Sequence, residues 1–220
     1  MIRVKICCIA NIEEARLAVK YGASALGLVS EMPSGPGVIS EELISKIVDV
    51  VPPGISTFLL TSKQNADEII DQHKRCRTNT IQLCDRLEIK ALQKIKSVLH
   101  GIKIVQVIHV TDEDSFHEAV EVSRYVDAIL LDSGNQKLEV KELGGTGRTH
   151  DWKISRKIRE SIQVPMFLAG GLNSANVADA IAQVNPFGVD VCSGVRTNGK
   201  LDEQKLKSFF EQIRKADRIN

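Results

Sequence analysis

Two polar residues close apolar runs in positions where they can do chemistry. Cys7 ends RVKIC and Asp132 ends VDAILLD. A thiol becomes a workable proton acceptor once a positive field lowers its pKa from about 8.5. A carboxyl kept protonated by partial burial can donate a proton. Lys5 sits two residues before Cys7, on the same face of an extended segment, and can supply that field. Asp190, inside the apolar run GVDV, can pair with Lys5 or hold substrate hydroxyls. The plainer alternatives are a core cysteine, a capping Asp132, a solvent-facing Lys5 and a purely structural Lys5–Asp190 ion pair.

A second kind of chemistry lies in two small-residue turns. AGGLNSANV (Ala169–Val177) and VDVCSGV (Val189–Val195) each leave an apolar run and lead into a helix-like segment. Gly170 and Gly171 let backbone approach a ligand, and Asn173 or Ser174 is expected to cap the helix that follows. Ser193 and Gly194 repeat the design. Free N–H groups at such turns suit an anion, so these four residues are candidate phosphate ligands. The alternative is a pair of ordinary strand-to-helix turns. The polar stretch Gly144-Gly145-Thr146-Gly147-Arg148-Thr149-His150-Asp151 is long enough to close over a site and exclude water, or to be a surface loop. His150 is read as a cap or surface residue, His73, His100 and His117 as solvent-facing, and His109 as a candidate ligand at a strand end.

These residues need elements to hold them, and the hydrophobic pattern supplies eight strand–helix units in order. Short apolar runs alternate with amphipathic segments from RVKICCI and NIEEARLAVKYG to FGVDVCSG and DEQKLKSFFEQIRKA. Asn11, Ser40 and Asn65 are placed to cap the first three helices and Gly22 to end the first. The pattern predicts a single-domain α/β (β/α)8 TIM barrel over residues 1–220, with Cys7, Cys84, Asp85, His109, Asp132 and both glycine turns at one strand-end face. An open doubly wound sheet would more often carry a glycine-rich turn after its first strand, where this chain has Cys7-Cys8.

Composition narrows the function. With 29 basic and 28 acidic residues and 4% aromatics, there is no footprint for nucleic acid or an anionic membrane. No run approaches the ~20 apolar residues of a membrane helix, so a cytoplasmic protein is expected. Five cysteines without a C-x-x-C pair argue against a disulfide framework or structural zinc. A metal held by Cys7, Cys84, Cys192 and His109 is the one alternative left by their positions.

VKICCIANIEEARLAVKYGASALGLV, IQLCD, LLDS, GGTGRTHDW, LAGGLNSANV and GVDVCSGV followed by GKLD occur in order along the chain. As a set they resemble the phosphoribosylanthranilate isomerase family of tryptophan biosynthesis. The resemblance implies an Amadori rearrangement on a (β/α)8 barrel. Cys7 would be the general base and Asp132 the general acid. Asp190 would contact the substrate near the reacting centre; apart from the resemblance, Lys5 is a candidate substrate contact from its place on the strand, and Arg148 from the neighbouring loop, where it could stand in for the arginine missing at Gly37. Gly170, Gly171, Ser193 and Gly194 would bind phosphate, beneath a loop including Gly144, Gly145, Thr146 and Gly147. It implies no metal or organic cofactor, a phosphorylated small-molecule substrate, and a monomer or homodimer. Three positions depart from the family pattern. Cys8 replaces a usual glycine, Cys84-Asp85 a usual His-Gly, and Gly37 an arginine that meets the anthranilate side of the substrate. The departures leave room for a paralogue acting on another phosphorylated sugar or amino sugar, or for a non-catalytic phosphate-ligand binder.

Overall fold

The computed structural model describes residues 1–134, 141, 143 and 147–217. Eight parallel strands close on themselves: β1 (Arg3–Ile6), β2 (Ala25–Val29), β3 (Ser56–Thr61), β4 (Thr80–Leu83), β5 (Lys103–His109), β6 (Ala128–Asp132), β7 (Met166–Leu168) and β8 (Gly188–Val191). Between and after them run α1 (Ile12–Tyr21), α2 (Glu41–Val50), α3 (Ala66–Cys76), α4 (Ile89–Val98), α5 (Glu113–Val122), α6 (Trp152–Ser161), α7 (Val177–Val184) and α8 (Glu203–Asp217). This is the expected (β/α)8 barrel.

The period-2 alternation of each strand divides the core into two layers. Ile6, Leu26, Leu28, Leu59, Ile81, Ile129 and Leu168 point outward and pack under the helices. Cys7, Phe58, Leu60, Val105, Val107, Leu130 and Phe167 point inward and fill the barrel. β1 pairs with β8 so that Lys5 lies directly beside Asp190. Strand register alone therefore puts these two charges together on the inner face.

The caps at Asn11, Ser40 and Asn65 form as expected, each side chain accepting a backbone N–H of its helix's first turn. α7 departs from expectation. It starts at Val177 with Asn176 in the cap position. The Asn173 side chain instead accepts the N–H of Ala175, and the Asn176 side chain accepts that of Asn173. These local bonds stabilise a turn and delay the helix. His73 also differs: it is buried, with Nε2 2.7 Å from the Thr78 carbonyl oxygen. A short hairpin not expected from the sequence, β9 (Arg196–Thr197) with β10 (Lys200–Leu201), follows a single turn of 3-10 helix at Ser193–Val195. No helix of the described residues is long and apolar enough to cross a membrane.

Candidate active site

Cys7, Asp132, Gly147, Gly170, Gly171, Asp190 and Ser193 line one cavity at the C-terminal end of the barrel. At its floor, Lys5 Nζ is 2.8 Å from Asp190 Oδ2 and 3.6 Å from Cys7 Sγ, and Lys5 is fully buried. Burial disfavours the lysine's charge, but Asp190, by charge and hydrogen bond, holds it above the ordinary lysine range. The ammonium therefore stays charged beside the Cys7 thiol. Burial likewise raises Asp190, against the pull of Lys5; a contact this short keeps both partners ionised, because either charge alone would be stranded in the core. Asp190 Oδ1 is buried and has no hydrogen-bond partner among the described residues.

Gly27 makes room for this arrangement. A β-carbon there would stand 2.8 Å from Cys7 Sγ and 3.1 Å from Lys5 Nζ. Such a glycine inside a strand marks a close approach, and the sequence reading passed over it. Asp132 is half-buried at the end of β6, where its Oδ1 accepts the N–H of Ser133 at 2.7 Å. One carboxylate oxygen is thus oriented by the backbone while the residue still faces the cavity.

The two glycine turns meet through their backbones. A β-carbon on Gly194 would overlap the Leu172 carbonyl oxygen, and one on Gly171 (φ +62°) would stand 2.7 Å from the Arg148 carbonyl carbon. The amides of Gly171, Ser193 and Gly194 donate to no backbone acceptor outside regular secondary structure among the described residues. Clustered N–H groups of this kind form an anion site. Gly147 faces Ser193 across the cavity mouth, whereas Gly144, Gly145 and Thr146 lie outside the described residues. The Arg148 side chain is exposed and is not part of the cavity lining; its backbone packs on Gly171.

Two further residues hold the site and were not singled out from the sequence. The Arg196 guanidinium donates to the carbonyls of Cys7 and Cys8 and pairs with Glu14 at 2.9 Å. Glu14 also accepts the N–H groups of Ala10 and Leu201. Burial would raise the Glu14 pKa, but Arg196 and these N–H groups bring it below the usual carboxylate value. The clamp ties the end of β1 to the segment after β8. The only sequence signals were an acid in the first turn of α1 and an arginine directly after GVDVCSGV.

His109 Nε2 is 3.1 Å from the Cys84 carbonyl oxygen. Burial pushes the Cys84 thiol far up, so it stays protonated. No group of three or more metal-capable side chains gathers among the described residues, and the four-residue metal alternative has no geometric support. His150 is half-buried rather than on the surface, with Nε2 2.7 Å from Ser155 Oγ, and burial lowers its pKa. Asp151 is the cap of α6.

The structure also accounts for two of the departures. Cys8 occupies the left-handed region at φ +62°, the conformation in which glycine is unstrained. A β-carbon on Gly37 would stand 2.5 Å from Cys8 Cβ and 2.9 Å from its Cα. The side chain at position 8 therefore fills the space that any side chain at position 37 needs. Asp85 pairs with Lys141 at 2.5 Å.

A buried thiol, a carboxylate and a cluster of backbone amides share one cavity at the strand ends of a closed barrel, the place where barrel enzymes hold their substrates. Comparison with known proteins is specific. The family model described as N-(5'-phosphoribosyl)anthranilate (PRA) isomerase matches residues 4–212. The chain is 34% identical over 215 residues to the N-(5'-phosphoribosyl)anthranilate isomerase of Methanocella arvoryzae, covering 97% of this chain and 99% of the relative. It is 36% identical over 214 residues to N-(5'-phosphoribosyl)anthranilate isomerase 2 of Methanosarcina mazei, covering 96% and 94%. The crystal structure of the Thermotoga maritima enzyme superposes with a TM-score of 0.84 at 32% identity, covering 98% of this chain and all of that one. A phosphoribosylanthranilate isomerase holding reduced 1-(o-carboxyphenylamino)-1-deoxyribulose 5-phosphate superposes with a TM-score of 0.82 at 30% identity and the same coverage. The chain belongs to the phosphoribosylanthranilate isomerase family.

Proposed function

We propose that the chain isomerises N-(5'-phosphoribosyl)anthranilate to 1-(o-carboxyphenylamino)-1-deoxyribulose 5-phosphate, and that Cys7 and Asp132 carry the proton transfers. The observation that supports this most is the sharing of one cavity by Cys7, Asp132 and the amides of Gly171 and Ser193. The amides of Gly171, Ser193 and Gly194, with Gly170 giving room, hold the 5'-phosphate and fix the sugar's orientation. Asp132 protonates the ring oxygen as the furanose opens, leaving a protonated imine at C1. Cys7, as thiolate beside the Lys5 ammonium, takes the proton from C2. The electron pair moves toward nitrogen and gives an enolamine, which tautomerises to the ketone at C2 and an amine at C1. Atoms balance with no external oxidant, and the protons move between substrate, Cys7, Asp132 and solvent. Asp190 Oδ1 accepts from a sugar hydroxyl; Lys5, fully buried and outside the cavity lining, acts through Cys7 and Asp190, and Arg148 acts through its backbone, which packs on Gly171. General acid and base groups so placed contribute about 10²–10⁴-fold each.

A second reading is favoured by the contact between Gly37 and Cys8. Without a cation at position 37, the same barrel would isomerise a phosphorylated amino sugar that lacks the aromatic carboxylate. Freshly generated N-(5'-phosphoribosyl)anthranilate, followed by the change in anthranilate fluorescence, separates the two. Turnover by the purified chain supports the first reading. A folded chain that binds the phosphorylated product analogue without turning over the substrate supports the second.

A further inference from the structure

The Sγ atoms of Cys8 and Cys192 lie 2.8 Å apart, although the residues are 184 positions apart in sequence. A disulfide needs about 2.05 Å, so roughly 0.8 Å of closure joins them. We propose that Cys8 and Cys192 form a thiol–disulfide exchange site, at which a low-molecular-weight disulfide reversibly cross-links the segments that follow β1 and β8.

Three observations besides the distance support the site. The chain holds Cys8 in the left-handed region, and Gly37 leaves its side chain the space it occupies. Local strain accepted at a non-glycine residue is common where a side chain has work to do. The pair is also reachable. Both residues border the main cavity and a second cleft of about 260 Å³ beside Pro36, Gly37, Arg196 and Gly199. The two thiols are inequivalent as well. Cys192 is half-buried and Cys8 buried. The hydrogen bond between Cys192 and Cys8, opposed by burial and helped by the Arg196 charge, holds Cys192 below the ordinary thiol range; the same bond, with one to Cys7 and burial, holds Cys8 well above it.

This inequivalence orders the chemistry. The Cys192 thiolate attacks one sulfur of R–S–S–R, forming Cys192–S–S–R and releasing RS⁻. Cys8 then loses its proton to that RS⁻ or to solvent and attacks Cys192 Sγ, releasing the second RS⁻. Two protein thiols are oxidised and one small disulfide is reduced to two thiols. The cross-link binds the neighbour of Cys7 to the neighbour of Ser193, so it changes both the proposed base and the proposed phosphate site. Cys76 and Cys84, buried apart from the pair, have no part in it.

The test uses the full chain and oxidised glutathione as the probe, read by intact mass and by peptide mapping without reductant. The expected product has lost about 2 Da, carries a Cys8–Cys192 peptide pair, and returns to two thiols with dithiothreitol. Cys8→Ser is expected to stop at a glutathione adduct on Cys192, and Cys192→Ser to take up no glutathione at position 8. Wild type that keeps both thiols reduced in glutathione that oxidises a control dithiol, or that links Cys7 instead, overturns the proposal. So does a Cys8→Ser protein that forms no Cys192 adduct. None of these readouts depends on which substrate the enzyme turns over.

Discussion

Gly171→Ala tests whether the glycine turns position the phosphate by close backbone packing. The added β-carbon would lie 2.7 Å from the Arg148 carbonyl carbon and 2.8 Å from the Thr149 nitrogen, where ordinary contact begins at 3.4 Å. One backbone must therefore retreat by about 0.7 Å, because neither neighbour is a flexible side chain. The positive φ adds about 1–2 kcal/mol of local strain, and the crowding about 1–3 kcal/mol more. Gly54→Ala separates the two contributions. It has φ +95° but nothing within 4 Å of an added β-carbon, so it carries backbone strain without crowding. At roughly 2–4 °C per kcal/mol, Gly171→Ala is expected to melt several degrees below Gly54→Ala. A shift approaching 1 Å in a substrate-holding group costs on the order of 100-fold in rate. Steady-state kinetics should show kcat/KM down by about that factor, with inorganic phosphate a weaker inhibitor. Gly54→Ala should match wild type in both. A folded Gly171→Ala with wild-type phosphate inhibition and kcat/KM would refute the reasoning.

Lys5→Met leaves Asp190 buried without its partner and should lower stability in urea by about 3–5 kcal/mol; adding Asp190→Leu should restore most of that stability without restoring turnover. Gly37→Arg should impair the enzyme on its own, because its β-carbon would stand 2.5 Å from Cys8 Cβ, whereas adding Cys8→Gly removes that contact and should recover part of the loss, the remainder being the 2.9 Å approach to the backbone at position 8 and the φ of +83° at position 37. Equal effects of Gly37→Arg with and without Cys8→Gly would contradict the steric coupling. Glu14 has its pKa lowered in the folded chain, from an ordinary value of 4.5. Its stabilising contribution is therefore present above pH 4.5 and is lost as pH falls through the depressed folded value. The stability difference between wild type and Glu14→Gln, measured by denaturant titration, should shrink as pH is lowered from 6 to 3; a difference that grows on acidification would contradict the clamp with Arg196.

The barrel was legible because its signals are local and repeated. Each strand run, such as ALGLV or AILLD, is followed by an amphipathic helix run, directly or after a polar loop, and the caps at Asn11, Ser40 and Asn65 lie next to the helices they start. The Lys5–Asp190 pairing was legible too, as one of two options, because an inward lysine on a central strand needs a counter-charge. The start of α7 was misplaced because the Asn173 side chain accepts the N–H of Ala175 and the Asn176 side chain that of Asn173 within a turn, a competition that composition does not resolve. The arginine clamp was hidden for a different reason. Arg196 acts on the main-chain carbonyls of Cys7 and Cys8, and a carbonyl has no residue identity to read. The same holds for Gly27, whose importance lies in what stands across the sheet from it. The match between Cys8 and Gly37 appeared in the sequence as two unrelated departures from a pattern, and only the packing makes them one change.

The central claim is that Cys7 and Asp132 perform the proton transfers while the glycine turns bind the phosphate. The most direct measurement compares turnover and affinity for the reduced product analogue in wild type, Cys7→Ala and Asp132→Ala. The account predicts that both variants fold, that both bind the analogue within about threefold of wild type, and that each loses at least about 100-fold in kcat. Turnover retained by either variant would contradict the assignment of that residue, and analogue binding lost in step with turnover would show it to be a binding group instead.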